Sequence, residues 1–338
     1  MYKVGVVGAT GVVGVEMIST LEERNFPVKE LHLYASERST AKKLFYKGRS
    51  FPVESLNSET WKDLDLALFS AGATVSREMA PKMAANGTYV VDNSSAWRME
   101  PNVPLVVPEV NPSALKKGSR IISNPNCSTI QMVVVLKPLH DEAIIERVIV
   151  ATYQAASGAG ARAIEDLTEQ THAWVSKKTI PRSKKLPAQI AFNVIPQVDV
   201  FLDNRYTKEE MKMVDETRKI MGIKNLRLSA TCARVPVFRG HSEAVWIEFK
   251  KNMTVNKARK LLLKAPGVVL LDGTDSKPSY PLAVNSSGSG DVFVGRIRKD
   301  ISTKRGISLW VVSDNLLKGA ALNAVQIAEL LCKLSYLR

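Results

Sequence analysis

The residues best suited to covalent chemistry in this chain lie at positions 124–129, which read NPNCST. The proline fixes its own φ and disfavours helix at the residue before it, so the backbone should stay extended into this turn. The serine and threonine after Cys127 are good helix caps, and the apolar residues 130–136 follow until Pro138 interrupts them. We therefore predict that Cys127 lies at or just before a helix N-terminus. Unpaired N–H groups and the helix dipole would favour a thiolate there, and a thiolate attacks carbonyl carbon. The alternative is a small buried hydrophobic residue, as most free cysteines are, and this stretch alone does not choose between the two.

Two further candidates lie beside glycine-containing turns. Gln154 precedes a turn of small residues at 155–160, where it could be a polar rim residue or could orient a substrate. His241 lies in the predicted turn at 239–243, between two strands. A lone histidine is more often structural, but turns between strands are also where functional residues tend to lie.

Charged residues supply possible contacts for ionic groups. Arg98 follows the end of a predicted parallel strand, so it is either a surface residue or an anion contact at the ligand edge of the sheet. Glu209 and Lys212 lie three residues apart on one face of a helix predicted over 207–221. Their simplest interpretation is a surface ion pair that contributes little to stability.

The start of the chain has the order that a dinucleotide-binding fingerprint requires. Residues 4–7 form a short apolar strand, residues 8–14 read GATGVVG, and residues 15–21 continue with helical periodicity. The spacing is GxxGxxG, not GxGxxG. Each glycine still has a role, because one closes the turn, one lets pyrophosphate approach backbone N–H groups and one lets the helix pack on the strand.

The end of the second strand, predicted at 30–35, bears on the choice of cofactor. A carboxylate here usually holds the ribose hydroxyls of NAD, whereas an arginine accommodates a 2′-phosphate. Ser36, Arg38 and Ser39 suit a phosphate and favour NADP. Glu37 either points to solvent or admits some NAD.

The remaining pattern divides the chain into two parts. Further strands at 66–69 and 89–91 extend a parallel sheet, and the first domain should end near the Cys127 turn. The predicted elements of the second part are strands at 147–153, 228–235, 244–250, 292–298 and 308–312, helices at 161–171, 207–221 and 256–263, and a basic loop at 172–200. The later strands indicate an antiparallel sheet that can pack face to face with another subunit. A long helix predicted over 314–334 should return to the first domain, make it discontinuous and carry Asn315 to the mouth of the cofactor cleft.

Length and composition limit the class of protein. A chain of 338 residues is long for one core, so two domains are expected. Three widely spaced cysteines argue against a disulfide framework and for a reducing compartment, and the cysteines and four histidines show no metal-ligand spacing. The longest apolar run is too short to cross a bilayer, and the N-terminus lacks the long apolar region of a signal peptide. We therefore expect a cytoplasmic protein without a membrane partner or a bound metal.

The formal charge of +14 indicates either a polyanionic partner or a basic surface around sites for small anions. The basic clusters at 177–178 and 182–185 are not interleaved with aromatic residues. Nucleic-acid binding is therefore disfavoured, and small anions are favoured.

Six stretches, in this order and spacing, resemble the aspartate-β-semialdehyde dehydrogenase family. They are 8–14 (GATGVVG), 93–98 (NSSAWR), 124–127 (NPNC), 153–158 (YQAASG), 239–242 (RGHS) and 313–315 (SDN). The resemblance covers essentially the whole chain. It implies an α/β protein with a Rossmann-type NADP-binding domain, 1–127 with 314–338, and an α+β catalytic and dimerisation domain, 128–313, with a mostly antiparallel sheet. It also implies a homodimer.

The resemblance also assigns roles to individual residues. It implies that Cys127 is the nucleophile, His241 the general acid/base, and Gln154 the residue that orients substrate and intermediate. The substrate-binding residues it implies are Arg98 and Lys212 for phosphate, Glu209 for the ammonium, Arg234 for the carboxylate, and Asn126. The cofactor-binding residues it implies are Gly8, Thr10, Gly11, Val12, Val13, Ser36, Glu37, Arg38, Ser39, Ser157, Gly158 and Asn315. The sequence departs from the usual family pattern at Glu37, and at Leu317, where many members carry arginine.

The family reaction reduces 4-aspartyl phosphate to L-aspartate 4-semialdehyde and supplies lysine, through diaminopimelate, together with threonine and methionine. The implied route is attack by the Cys127 thiolate, loss of phosphate, hydride transfer from NADPH to the thioester, and protonation of the forming alkoxide by His241. One alternative is N-acetyl-glutamyl-phosphate reductase, whose acylated substrate nitrogen carries no charge and needs no Glu209. The other, from a different class, is a basic Rossmann protein that binds nucleic acid without catalysis.

Overall fold

The computed structural model describes residues 1–273 and 279–337. In chain order these residues form β1 (Tyr2–Val7), α1 (Val12–Glu23), β2 (Val28–Ala35), β3 (Lys43–Tyr46), β4 (Arg49–Ser55), β5 (Leu66–Phe69), α2 (Ala73–Ala85), β6 (Tyr89–Asp92), β7 (Ile121–Ser123), α3 (Cys127–Ala143), β8 (Ile145–Gln154), α4 (Ala161–Val175), α5 (Lys208–Met221), β9 (Arg227–Arg234), β10 (His241–Phe249), α6 (Val255–Leu263), β11 (Val268–Leu270), α7 (Ala283–Ser286), β12 (Val292–Lys299), β13 (Gly306–Ser313) and α8 (Leu322–Lys333). They make two compact units, Met1–Asn126 with the segment from Ala320 onward, and Cys127–Gly319.

The first unit is built on a seven-stranded sheet in the order β3-β4-β2-β1-β5-β6-β7. All its pairings are parallel except β3 with β4 at the edge. Such a sheet needs apolar cover on both faces. Val4 and Val6 of β1 face a cluster that includes residues of α1 and α8, whereas Val7 faces a cluster with Met79 and Met83 of α2. In open parallel sheets of this kind, ligands bind beyond the carboxyl ends of the strands.

The second unit is built on a six-stranded sheet in the order β11-β12-β13-β10-β8-β9. The three central pairings are antiparallel, and the two outer pairings, β8 with β9 and β11 with β12, are parallel. Alternate residues of β10, from His241 to Phe249, are buried on one face, which α3 covers. The α/β fold class predicted from the sequence is confirmed, with a parallel Rossmann-type sheet and a mostly antiparallel second sheet.

Several predicted boundaries are wrong for identifiable reasons. Pro138 does not interrupt α3, which continues to Ala143, because the buried apolar side chains of residues 130–139 offset the cost of a proline inside the helix. Helix α4 continues to Val175, so the basic loop starts later than predicted. His241 is the first residue of β10 and does not lie in the preceding turn, since it pairs with Ser313 of β13.

The predicted helix over 314–334 is also too long. The Asp314 carboxylate accepts hydrogen bonds from the N–H groups of Leu316 and Leu317 at 2.9 and 3.1 Å, which forms a local turn in place of a helix start. A π-helical turn at Leu317–Ala321 follows, and the regular helix α8 begins only at Leu322. Within the described residues, no helix is long and apolar enough to cross a membrane.

Candidate active site

Cys127 is the first residue of α3, as predicted, and its side chain is half-buried. The first N–H groups of a helix have no intrahelical partner, and the dipole is positive at this end, so both favour a thiolate. Gly319 packs directly on this residue, since a Cβ at position 319 would lie 2.7 Å from the Cys127 Cβ. The sequence reasoning did not single out Gly319, because its place in a π-helical turn next to the buried Lys318, a feature frequent at functional sites, is visible only in the structure.

Gln154 ends β8 and is buried, so it is not a rim residue. Its side-chain amide donates to the hydroxyl of Ser128, the residue after Cys127, at 2.9 Å. It also lies 3.3 Å from Thr152 Oγ1 and 3.3 Å from Glu209 Oε1. Gln154 therefore connects the start of α3 with the start of α5.

Glu209 and Lys212 do not form the surface ion pair of the simplest interpretation. Glu209 is 5% exposed, and Lys212 Nζ donates to Glu209 Oε2 at 3.1 Å and to Asp199 Oδ2 at 2.8 Å. Burial alone would lower the pKa of Lys212, but the two carboxylates outweigh it and raise that pKa. The lysine is therefore a fixed cation beside a buried carboxylate.

Arg234 ends β9 and lies opposite Gln154 in the parallel register. It is 5% exposed; its Nη1 donates to the Ala155 carbonyl at 2.8 Å, and its Nε has no hydrogen-bond partner among the described residues. Burial lowers its pKa, while Glu209 and Cys127 act in the opposite direction. An arginine stays charged under such a shift, so the guanidinium places a positive charge next to the cysteine.

His241 is fully buried, and its ring orientation is fixed by the backbone. The Ala155 N–H donates to His241 Nδ1 at 3.0 Å, so the proton of the neutral ring is assigned to Nε2, which has no partner among the described residues. Burial and the neighbouring Arg234 hold the pKa of His241 well below its ordinary value. The site therefore contains a neutral imidazole with an unused N–H donor.

The predicted residues of the 157–158 turn and Asn315 come together next to His241. A Cβ on Gly158 would lie 2.8 Å from Arg234 Nη1 and 3.1 Å from His241 Nε2, so only glycine lets this backbone approach both groups. Asn315 exchanges hydrogen bonds with Ser157 and accepts from the N–H of Gly240, the residue before His241, at 2.8 Å.

In the first unit, the glycine-rich turn borders a pocket of about 420 Å³. Gly8 has φ +85°, and a Cβ there would lie 2.6 Å from the Ser70 carbonyl oxygen. Gly11 precedes α1, and none of the described side chains caps this helix start, so its N–H groups suit a phosphate. Of the predicted cofactor residues, the pocket is lined by Gly8, Thr10, Gly11, Ser36 and Glu37, whereas Val12 and Val13 lie in the first turn of α1 and Arg38 and Ser39 lie beside the pocket lining. These residues fit the diphosphate and ribose of a dinucleotide.

The remaining predicted substrate residues, Arg98 and Asn126, also belong to the first unit, and both are buried. Arg98 Nη2 donates to the Asn93 carbonyl at 2.8 Å. Asn93 accepts from the Asn124 amide at 2.7 Å, and Asn124 accepts from Asn323 of α8 at 2.6 Å. Sequence reasoning missed Asn323, although an asparagine within an apolar helix stripe is a signal of a buried polar role.

Comparison with known proteins gives consistent results. A family described as "Semialdehyde dehydrogenase, NAD binding domain" matches residues 3–118, and "Semialdehyde dehydrogenase, dimerisation domain" matches residues 136–318. An aspartate-semialdehyde dehydrogenase of Aquifex aeolicus (strain VF5) is 58% identical over 98% of this chain and 98% of that protein.

Two solved structures extend the comparison. The crystal structure of aspartate semialdehyde dehydrogenase II complexed with ASA from Vibrio cholerae has a TM-score of 0.95 and 47% identity, and covers 98% of each chain. The crystal structure of aspartate semialdehyde dehydrogenase with NADP from Candida albicans has a TM-score of 0.76 and 26% identity, and covers 99% of each chain. The chain belongs to the aspartate-semialdehyde dehydrogenase family.

Proposed function

We propose that this protein catalyses the NADPH-dependent reductive dephosphorylation of L-4-aspartyl phosphate to L-aspartate 4-semialdehyde through a thioester on Cys127. The observation that supports this most directly is the placement of Cys127 at a helix N-terminus in one cluster with Gln154, Arg234 and His241. The product supplies lysine, through diaminopimelate, as well as threonine and methionine.

The first step is attack of the Cys127 thiolate on the acyl carbon of aspartyl phosphate. A C–S bond forms, the C–O bond to phosphate breaks, and phosphate leaves with the electron pair. We propose that Arg98 and Lys212 bind the phosphate and that Asn126 contributes to substrate binding. A positive charge at the leaving group stabilises the transition state.

The substrate is oriented by groups of opposite charge. We propose that Arg234 binds the substrate carboxylate, because a planar guanidinium matches it with two hydrogen bonds. Glu209 binds the ammonium group and Gln154 orients the acyl intermediate. An N-acetylated substrate would leave the buried Glu209 carboxylate without a cation from the substrate, which disfavours N-acetyl-glutamyl-phosphate reductase.

His241 donates from Nε2 to the oxygen of the tetrahedral intermediate. The resemblance implied a general acid/base at this position. We propose the narrower role of a hydrogen-bond donor, which the hydrogen bond from the Ala155 N–H to Nδ1 supports. A second ring proton would face the Ala155 N–H, so donation of a hydrogen bond is favoured over formation of an imidazolium. The tetrahedral oxygen can then collapse to the aldehyde and return the thiolate without a net proton transfer.

NADPH, when bound, supplies the hydride that reduces the thioester. We propose that the turn at Gly8 and Gly11 and the uncapped start of α1 hold its diphosphate, with Ser157, Gly158 and Asn315 also contributing. The preference for NADP is our proposal, supported by Ser36, Arg38 and Ser39 and by the Candida albicans relative, whose crystal structure is one with NADP.

Glu37 should set how well NAD is accepted. Glu37 is exposed and lines the 420 Å³ pocket, where its Oε1 accepts a hydrogen bond from Asn57 Nδ2 at 3.2 Å. We expect Glu37→Ser to lower kcat/KM for NAD about 10-fold, since one hydrogen bond between a carboxylate and ribose is lost, and to maintain or raise kcat/KM for NADP. An unchanged ratio of the two specificity constants would exclude this role for Glu37.

Gly158→Ala should impair the site without unfolding the protein. The added methyl group would meet the Arg234 guanidinium and the His241 ring, so both should shift. We expect kcat/KM to fall roughly 100-fold, as a displacement near 1 Å can produce, while thermal unfolding changes by only a few degrees. Gly160→Ala is the control because a Cβ there meets nothing within 4 Å, although its φ of +90° makes it the more strained backbone. A Gly158→Ala enzyme as active as the wild type would exclude this close approach.

We also propose a cytoplasmic homodimer. The free cysteines of the described chain fit a reducing compartment. Association of two copies is supported by the name of the matched dimerisation domain and by a sheet face with the exposed Tyr153 and Ile149. Sedimentation of the purified chain tests this association.

The proposed activity is tested by NADP reduction with aspartate semialdehyde, assayed with and without inorganic phosphate. We expect reduction that depends on phosphate and is faster with this substrate than with N-acetyl-glutamate semialdehyde. Faster turnover of the acetylated substrate would overturn the proposal. Absence of activity combined with salt-sensitive nucleic-acid binding would favour the non-catalytic alternative.

A further inference from the structure

Glu243 is a buried carboxyl group that the proposed reaction does not use. It is 0% exposed and lies on β10, two residues after His241 and on the same buried face of the sheet. Thr152 of β8 and Val311 of β13 are its partners in the sheet register, and neither is charged. A carboxylate in such surroundings would be strongly destabilised unless it were neutral or paired.

The group that faces this carboxyl is the side-chain amide of Gln131, on α3, one helical turn after Cys127. Gln131 is 1% exposed. Burial raises the pKa of Glu243 well above its ordinary value, and the Gln131 amide acts in the opposite direction with a smaller effect. No hydrogen bond of good geometry joins them: among the described residues, Gln131 Nε2 and both oxygens of Glu243 are without a partner. Two unsatisfied groups therefore face one another between the nucleophile helix and the His241 strand.

Among the described residues, the titratable groups near Glu243 do not supply a counter-charge. Burial raises the pKa of the Cys232 thiol of β9, and the charge of Glu243 acts in the same direction, so this thiol is neutral. His241 is also neutral, because burial and Arg234 lower its pKa. A proton on Glu243 would let the acid donate to the amide carbonyl and accept from the amide N–H, which satisfies both groups.

We propose that Glu243 is a positioning residue whose neutral carboxylic acid pairs with the Gln131 amide. This pair holds the first turns of α3, and with them Cys127, in place relative to His241. This inference rests on the roles proposed above for Cys127 and His241. Loss of the pair would leave one buried polar group unsatisfied and let the start of α3 shift.

The raised pKa of Glu243 links its protonation to the stability of the fold, whereas the kcat and the alkylation rate of Cys127 report its positioning role. Because the pKa of Glu243 is raised in the folded state, its protonated form stabilises the fold below the ordinary glutamate pKa. That stability is lost as the pH rises toward the raised value. Glutamine at this position carries no charge at any pH and keeps a donor and an acceptor for Gln131.

The test compares Glu243→Gln, Glu243→Leu, Glu243→Leu with Gln131→Leu, and the control Glu165→Gln, which removes an exposed carboxylate. We expect Glu243→Gln to keep kcat within about twofold and to lose less thermal stability than the wild type as the pH rises above the ordinary glutamate pKa of 4.5. Glu243→Leu should lower kcat on the order of 10- to 100-fold with little change in KM, and should slow alkylation of Cys127 by iodoacetamide. The double leucine variant should recover thermal stability relative to Glu243→Leu, since both unsatisfied groups are then removed.

Three outcomes would overturn the inference. They are a Glu243→Gln enzyme with the same loss of stability at high pH as the wild type, a Glu243→Leu enzyme with unchanged kcat and alkylation rate, or a large loss of kcat in Glu243→Gln. The alkylation and unfolding measurements do not need the substrate, so they remain informative if the wild type fails to reduce aspartyl phosphate.

Discussion

Cys127→Ser should remove nearly all turnover while leaving the fold and NADP binding in place. In the proposed reaction the thiolate at the start of α3 forms the covalent bond, and a serine hydroxyl has a far higher pKa and stays un-ionised there. We expect kcat to fall roughly 1,000-fold or more, since the covalent route is lost and only binding and orientation remain. Thermal unfolding and NADP titration should match the wild type, because the substitution exchanges one atom at a half-buried side chain.

The matched control is Cys332→Ser, which makes the same exchange at the half-buried cysteine of α8. That variant should retain wild-type kcat, and iodoacetamide should still inactivate it, with protection by aspartate semialdehyde. Full activity of Cys127→Ser would rule out a thioester at this position.

Arg234→Lys should raise KM for aspartate semialdehyde strongly. The guanidinium is buried, held by the Ala155 carbonyl at 2.8 Å, and has a further N–H at Nε without a partner among the described residues. A lysine ammonium is a point charge and cannot present two parallel donors to a carboxylate. We expect KM to rise about 30- to 100-fold, equivalent to the loss of one charge-assisted hydrogen bond of about 2–3 kcal/mol, with a smaller effect on kcat.

Arg227→Lys, at the exposed start of the same strand, provides the control and should leave KM unchanged. Initial rates at varied semialdehyde concentration and saturating phosphate measure both variants. A wild-type KM for Arg234→Lys would assign Arg234 to structure and not to the substrate.

The sequence predicted local features well and contacts between distant segments poorly. The position of Cys127 at a helix start follows from the caps and apolar run next to it, and the strand–turn–helix at Gly8 follows from three glycines in one window. By contrast, helical periodicity alone favoured a surface ion pair for Glu209, because it cannot show that Gln154, distant in sequence, lies 3.3 Å away. The same limit applies to Glu243, which periodicity placed in a turn next to His241.

The features of the C-terminal segment could not be predicted for a different physical reason. Its apolar periodicity is helical throughout, but the Asp314 side chain binds two following N–H groups and Gly288 N, and these contacts outweigh propensity. The orientation of the His241 ring is likewise set by the backbone N–H of Ala155, and a backbone contact of this kind cannot be predicted from residue types.

The central claim, a covalent acyl group on Cys127, is tested most directly by mass spectrometry of the protein mixed with 4-aspartyl phosphate in the absence of NADPH. We predict that one aspartyl group is added to the peptide that contains Cys127, and that addition of NADPH removes it with release of semialdehyde. Turnover of aspartyl phosphate by a protein that never carries an acyl group on Cys127 would contradict the account.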